Sequence, residues 1–303
     1  MVDADVSAIL TTEATQKDVA PLLTRSVYRS TQNSKSNQNS RSLRAVDWLA
    51  TDTLKTSSDS SDKSFRGAFP TPEKIAFLQY TSGSTSHPKG VMVTHGNLAH
   101  NLQQIQTAFG QLDIKSADIQ SDIAKPSNYE GVIWLPPYLD MGLIGGILQP
   151  LYGGYPVTLM SPTSFLRQPF RWLEAITYFG GTTSGGPNFA YDYCVQKVSN
   201  EQCQQLDLST WSLAFAGAEP IRTQTLTHFA EKFASCGFNS HAFYPCYGLA
   251  ESTLFVTGKE ATASPAVISV DRAKLNQGEI KQVDETEQAA EGPVSEEQAS
   301  EEQ

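Results

Sequence analysis

From Lys74 onward, short apolar runs alternate with longer stretches in which apolar residues recur every three or four positions. Ile75–Tyr80 and Val91–Thr94 are β-rich, and the polar Gly/Ser/Thr/Pro segment between them can turn a hairpin. Asn97 is expected to cap a helix whose apolar positions Leu98, Leu102, Ile105 and Phe109 share one face. The rhythm then repeats. Val132–Leu135 (strand) leads to Met141–Leu151 (apolar helix) and Pro156–Met160 (strand). Gln168–Phe179 (helix), Thr182–Ser184 (strand) and Pro187–Val198 (helix, proline near its start) follow. Leu213–Ala216 (strand), Pro220–Phe233 (helix) and Ala242–Tyr244 (strand) complete it. Strands separated by helices of this length need crossover connections, so the pattern predicts an α/β fold with a mostly parallel sheet flanked by helices.

Ahead of Lys74 the pattern is weaker. Val6–Leu10, followed by Thr11 and Thr12, reads as a strand leaving a helix. Ser26–Ser64 is rich in Ser, Asn, Gln and Asp, a polar loop at about 26–64 around one apolar strand, Ala45–Ala50. From Gln277 the chain is acids, Gln, Ala and Ser, which predicts a disordered tail over 277–303 behind one domain over 1–276.

Charge refines this division. The net charge of the 303 residues is −10, but Glu279–Gln303 carries nine acids against Lys281 alone. The body is therefore close to neutral, without the basic field that nucleic acid demands. Cys194, Cys203, Cys236 and Cys246 form no CxxC pair or zinc-ligand spacing, which suggests structural thiols in a reducing compartment. No apolar run reaches 18 residues and no signal peptide opens the chain, so a cytoplasmic protein with no membrane span is expected.

The sharpest chemical signal is Tyr80–Val91, YTSGSTSHPKGV. Thr81, Ser82, Ser84 and Thr85 supply hydroxyls, Gly83 lets backbone approach an anion, and Lys89 supplies a point charge suited to phosphates. It is not a P-loop, because Gly90 and a strand follow the lysine. A flexible hairpin loop is the bland alternative. For His87 and His95, flanking this loop, turn positions compete with phosphate contact. Arg222 is either a nucleotide contact or an exposed first-turn residue. Asp140 is either an acyl-side residue or a helix N-cap ahead of Met141.

This string resembles the phosphate loop of the adenylate-forming superfamily, and two further segments agree with it. Ala216–Pro220, AGAEP, is similar to the family's adenine-contacting turn, and Tyr244–Thr253, YPCYGLAEST, to its second nucleotide motif. Trp134–Pro162 and Thr182–Asp192 (TTSGGPNFAYD) resemble fatty acyl-AMP ligases in particular, and Val267–Leu275 resembles the start of an insertion that disfavours coenzyme A as acceptor. The resemblance implies the large N-terminal type of adenylation domain, here incomplete at both ends. It implies ATP and Mg²⁺, with Lys89 and Glu251 catalytic and Thr85 and Glu251 toward the metal. Thr81–Thr85, Gly217, Ala218, Glu219, Tyr247, Gly248 and Ser252 would bind the nucleotide, with Tyr247 stacked on the base. Asp140, Met141, Gly185, Gly186 and Phe189 would face the acyl group. By itself Tyr247 reads equally as a core aromatic, and Glu251 as a solvated acid. The implied reaction joins a fatty acid to AMP with release of pyrophosphate. The acyl group then passes to the phosphopantetheine of an acyl carrier protein, in polyketide or lipid assembly.

One departure stands out. Where the family reads HDMGL, with the histidine beside the reacting carboxylate, this chain has Leu139-Asp140-Met141-Gly142-Leu143, and leucine can neither donate a hydrogen bond nor carry charge. The competing expectation is a non-catalytic nucleotide- or lipid-binding remnant.

Overall fold

The computed structural model describes residues 8–21, 47–53, 69–81, 89–111, 129–260 and 262–283, which fall within two units, Met1–Gly96 and Asn97–Gln303. Most of the expected polar loop at 26–64, the loop residues 82–88 with His87, and the tail beyond Val283 lie outside the described residues.

In the first unit, strand β1 (Ala8–Thr11) pairs in parallel with β2 (Asp47–Ala50), so the short apolar strand expected near 45–50 forms. Helix α1, over 13–21, follows β1. Strands β3 (Ile75–Thr81) and β4 (Lys89–Thr94) make the predicted antiparallel hairpin, with Thr81 opposite Lys89 at the end joined by residues 82–88.

Helix α2 (His95–Ala108) leads into the second unit. It starts two residues ahead of Asn97, which therefore lies inside the first turn and not at the cap; the His95 N–H already bonds the Lys74 carbonyl. The expected apolar face is kept, with Leu102 and Ile105 buried.

Six strands form one sheet in the order β10-β9-β8-β7-β5-β6. These are β5 (Gly131–Ile133), β6 (Val157–Leu159), β7 (Thr183–Gly186), β8 (Leu213–Ala216), β9 (Phe243–Gly248) and β10 (Phe255–Gly258). All neighbouring pairs from β6 to β9 are parallel; β10 runs antiparallel to β9 and was not foreseen in the pattern. The apolar stretch after β5 is a π-helix (Met141–Leu148) running into α3 (Gln149–Gly153), which stops at Gly154 with φ 67°. Next come α4 (Pro162–Arg167), α5 (Phe170–Phe179), α6 (Asn188–Lys197), α7 (Asn200–Cys203), α8 (Thr223–Phe233) and α9 (Arg272–Asn276). Helix α8 starts at Thr223, not Pro220, because Pro220–Arg222 stays non-helical as its approach.

Aromatic packing holds the helices to the sheet. Trp172, Tyr191, Trp211, Phe229 and Phe233 are all fully buried, and edge-to-face pairs such as Tyr191–Phe229, at 5.1 Å, link α6 to α8. Their polar atoms are satisfied: Trp172 Nε1 donates to Ser184 Oγ at 2.8 Å, and Tyr191 OH to the Phe215 carbonyl at 2.7 Å. Lys232 on α8 donates to the carbonyls of Val195 and Val198, where α6 ends and its dipole is negative.

All four cysteines are free. Beyond α9 the backbone turns back, with the Val283 N–H donating to the Ser269 carbonyl at 3.0 Å. Gln277–Val283 is thus paired, while the rest of the expected tail lies outside the described residues. No helix among the described residues is long and apolar enough to cross a membrane.

Candidate active site

Parallel strands β5, β7, β8 and β9 end on the same side of the sheet, where α/β proteins collect their ligand-binding segments. A cleft of about 610 Å³, counted with its open mouth, lies at these ends. Asp140, Met141 and Gly145 contribute from the π-helix, Gly217 and Ala218 from the turn after β8, and Tyr247 and Gly248 from the end of β9. Six of the residues singled out in the sequence therefore meet in one cleft.

Local geometry explains each arrival. A Cβ on Gly142 would lie 1.9 Å from the Pro136 carbonyl oxygen, so glycine lets the π-helix cross the strand exit closely. Asp140 caps that helix by accepting the Met141 N–H at 2.7 Å, and it lines the cleft as well. The N-cap reading of Asp140 holds, and the capping residue also borders the cleft. Ala218 has φ 67°, a left-handed conformation that turns the chain sharply after β8. Tyr247 is 59% exposed at the cleft and is no core aromatic.

Other sequence-predicted residues sit elsewhere. Glu219 accepts the Phe189 N–H at 2.7 Å, and Asn188 accepts the Arg222 N–H at 2.9 Å while donating to Thr225 Oγ1 at 3.2 Å. The Pro187–Phe189 segment thus braces the Ala216–Pro220 turn from behind. Phe189 and Glu219 line a different, polar concavity together with Arg222, which is exposed at the α8 cap position. Gly185 and Gly186 are buried in β7, where a side chain would strike Phe215 and the Trp134 ring. None of these four lines the cleft.

Glu251 and Ser252 are exposed in a short 3₁₀ turn just beyond Tyr247. Thr81 and Lys89 face each other in the first unit's hairpin, and Ser82–Thr85 lie outside the described residues. Among the described residues no cluster of three His, Cys, Asp or Glu side chains is built to hold a metal. Leu139 is half-exposed, one residue before Asp140.

Apolar residues complete the cleft wall: Ile105, Phe109, Phe215, Leu254 and Phe255. Ile105 and Phe109 were visible as a helical stripe, but nothing separates a lining residue from a core residue by periodicity. Cys246 also lines the cleft, its Sγ 3.4 Å from the Ala216 carbonyl and its thiol pushed up to about 12 by burial.

The family model described as AMP-binding enzyme matches residues 1–295. The chain belongs to the AMP-binding enzyme family. A medium-chain-fatty-acid–[acyl-carrier-protein] ligase of Teredinibacter turnerae is 46% identical over 209 residues, 69% of this chain and 30% of that protein. A crystal structure of a fatty acid AMP ligase from Legionella pneumophila aligns over 92% of this chain and 43% of its own, at 38% identity and a TM-score of 0.73. A fatty acyl-adenylate ligase from L. pneumophila, in complex with acyl adenylate and pyrophosphate, aligns over the same shares at 36% identity and a TM-score of 0.69. The chain spans about a third of the length of the curated relatives it matches. Its α/β architecture is that of the adenylation domain in fatty acyl-AMP ligases.

Proposed function

We propose that the chain carries out fatty acid adenylation: a fatty-acid carboxylate oxygen attacks the α-phosphorus of ATP, and pyrophosphate leaves. The observation that carries this reading is the convergence of Tyr247, the Gly217–Ala218 turn and Asp140–Met141 on one cleft whose remaining wall is apolar. Half of such a cleft suits a nucleotide, and half suits an alkyl chain. The exposed Tyr247 ring offers a stacking face for adenine, and the backbone of Gly217 and Ala218 can lie against the nucleotide. Phe215, Leu254 and Phe255 offer apolar surface to the acyl chain.

In-line displacement at phosphorus needs positioning and charge neutralisation more than it needs a protein base. Lys89, Thr81 and the Ser82–Thr85 loop are assigned to the phosphates. Mg²⁺ keeps waters and substrate phosphates as ligands and takes few carboxylates. Glu251 is exposed and would offer one carboxylate to the ion, with Thr85 assigned by the family resemblance, and the ion would shield phosphate charge when bound. The acyl-AMP is then handed to a carrier-protein thiol with release of AMP, in the cytoplasm, for polyketide or lipid assembly.

The second reading, a nucleotide- or acyl-binding protein without turnover, rests on Leu139. Fatty-acid-dependent ATP–pyrophosphate exchange separates the two. Exchange that Glu251→Ala abolishes supports adenylation; nucleotide binding without exchange supports the second reading.

A further inference from the structure

Thr253 stands two residues after Glu251 and immediately before Leu254, a wall of the cleft. Its backbone adopts φ 74° and ψ −62°, and the Leu254 N–H reaches back to the Ser252 carbonyl at 3.0 Å. This is a γ-turn of the positive-φ form, which is rare and strained. A β-branched residue is among the least suited to positive φ. Among the described residues the other non-glycine with positive φ is Ala218, which also borders the cleft.

Backbone strain persists only where neighbours over-determine it. Here the neighbours are on both sides of the turn. Asn101, 3% exposed on α2, donates to the Phe255 carbonyl at 2.8 Å and accepts the Phe255 N–H at 2.9 Å. Its amide thus acts as a strand partner for β10. On the incoming side, the Leu249 N–H donates to the Leu254 carbonyl at 2.9 Å. A Cβ on Gly248 would lie 2.0 Å from that same carbonyl, so the two legs of the loop are in backbone contact.

We propose that Thr253 and Asn101 are positioning residues that lock the loop over 248–254 into one conformation. With it they lock the Tyr247 ring at the cleft and the Glu251 carboxylate beyond it. What the loop positions rests on the adenylation reading; the lock itself does not.

Thr253→Gly removes the steric cost and frees the turn, whereas Thr253→Ala keeps a Cβ and loses only the hydroxyl and branch. With the full chain, we expect Thr253→Gly to keep or raise Tm. It should also speed amide hydrogen exchange at Ser252–Leu254 and raise KM for ATP, each about tenfold. Thr253→Ala should track the unsubstituted protein in exchange protection and KM. Unchanged amide protection in Thr253→Gly, or a Tm lowered by more than about 2 °C, overturns the proposal. Equal effects of the two variants do the same by assigning the role to the hydroxyl. If the unsubstituted chain shows no fatty-acid-dependent pyrophosphate exchange, the adenylation reading fails. The amide-exchange comparison still decides the lock.

Discussion

Gly142 crosses the Pro136 carbonyl so closely that a Cβ would sit 1.9 Å from its oxygen. That oxygen also accepts the Leu139 N–H at 3.2 Å, so it is held in place and cannot swing aside. One glycine therefore sets where the π-helix begins, and with it where Asp140 and Met141 enter the cleft. π-Helical segments recur at functional sites because their irregular turn re-aims side chains.

Gly142→Ala should force the π-helix away from the exit of β5. We expect a loss of about 2 kcal/mol, the usual cost of overpacking, and a Tm drop of about 4–8 °C for a unit of this size. Thermal unfolding followed by circular dichroism reads it directly. An unchanged Tm would mean that the crossing relaxes at no cost.

Tyr247 is exposed, so its removal should not disturb folding. Tyr247→Ala is expected to leave Tm within about 1 °C. Nucleotide affinity should fall about tenfold, in line with the loss of one aromatic–base stack. Thermal unfolding checks the first half of the claim, and titration calorimetry with ATP and Mg²⁺ checks the second. Equal affinity would remove Tyr247 from the site.

Leu139→His restores the residue that the family resemblance places beside the reacting carboxylate. If that contact stabilises charge in the transition state, the rate of pyrophosphate exchange should rise on the order of 10²-fold. KM for the fatty acid should change little. No rise at all would mean that adenylation by this chain does not use position 139.

Alkaline pH should destabilise the second unit. Burial raises the Cys246 thiol from 9.0 to about 12 and the Tyr244 phenol from 10.0 to about 12. Folded-state values above the unfolded ones mean that the neutral forms favour the fold. Their contribution is complete below pH 9 and is lost between about pH 9 and 12, as the unfolded chain ionises first. Urea midpoints should therefore fall across that window. At pH 8 the protonated Cys246, though it lines the cleft, should resist iodoacetamide until the chain unfolds. Cys246 is half-buried, so rapid labelling of the folded protein at pH 8 would contradict its raised thiol value.

The sequence by itself determined the alternation of strands and helices, because side-chain periodicity is a local property written into every window of the chain. It also singled out Gly217–Ala218, Asp140–Met141 and Tyr247–Gly248 as motifs, and these segments converge on one cleft. Asn97 was misread as a cap because the side-chain signal at the helix start competes with backbone bonding, and the His95 N–H had already found the Lys74 carbonyl.

Only the tertiary structure decided what depends on partners far apart in the chain. The edge strand β10 has β-prone Phe255, Val256 and Thr257 but is only four residues long; it is held by β9 and by Asn101, 154 residues away. Phe189, Gly185 and Gly186 share a motif with an acyl-side resemblance. Packing nevertheless assigns them to the brace and the core, since the space each can occupy is set by Glu219, Phe215 and Trp134. The strained turn at Thr253 was invisible for the same reason. No local preference favours it, and it persists because Asn101 and the Leu249–Leu254 hydrogen bond hold the chain on either side.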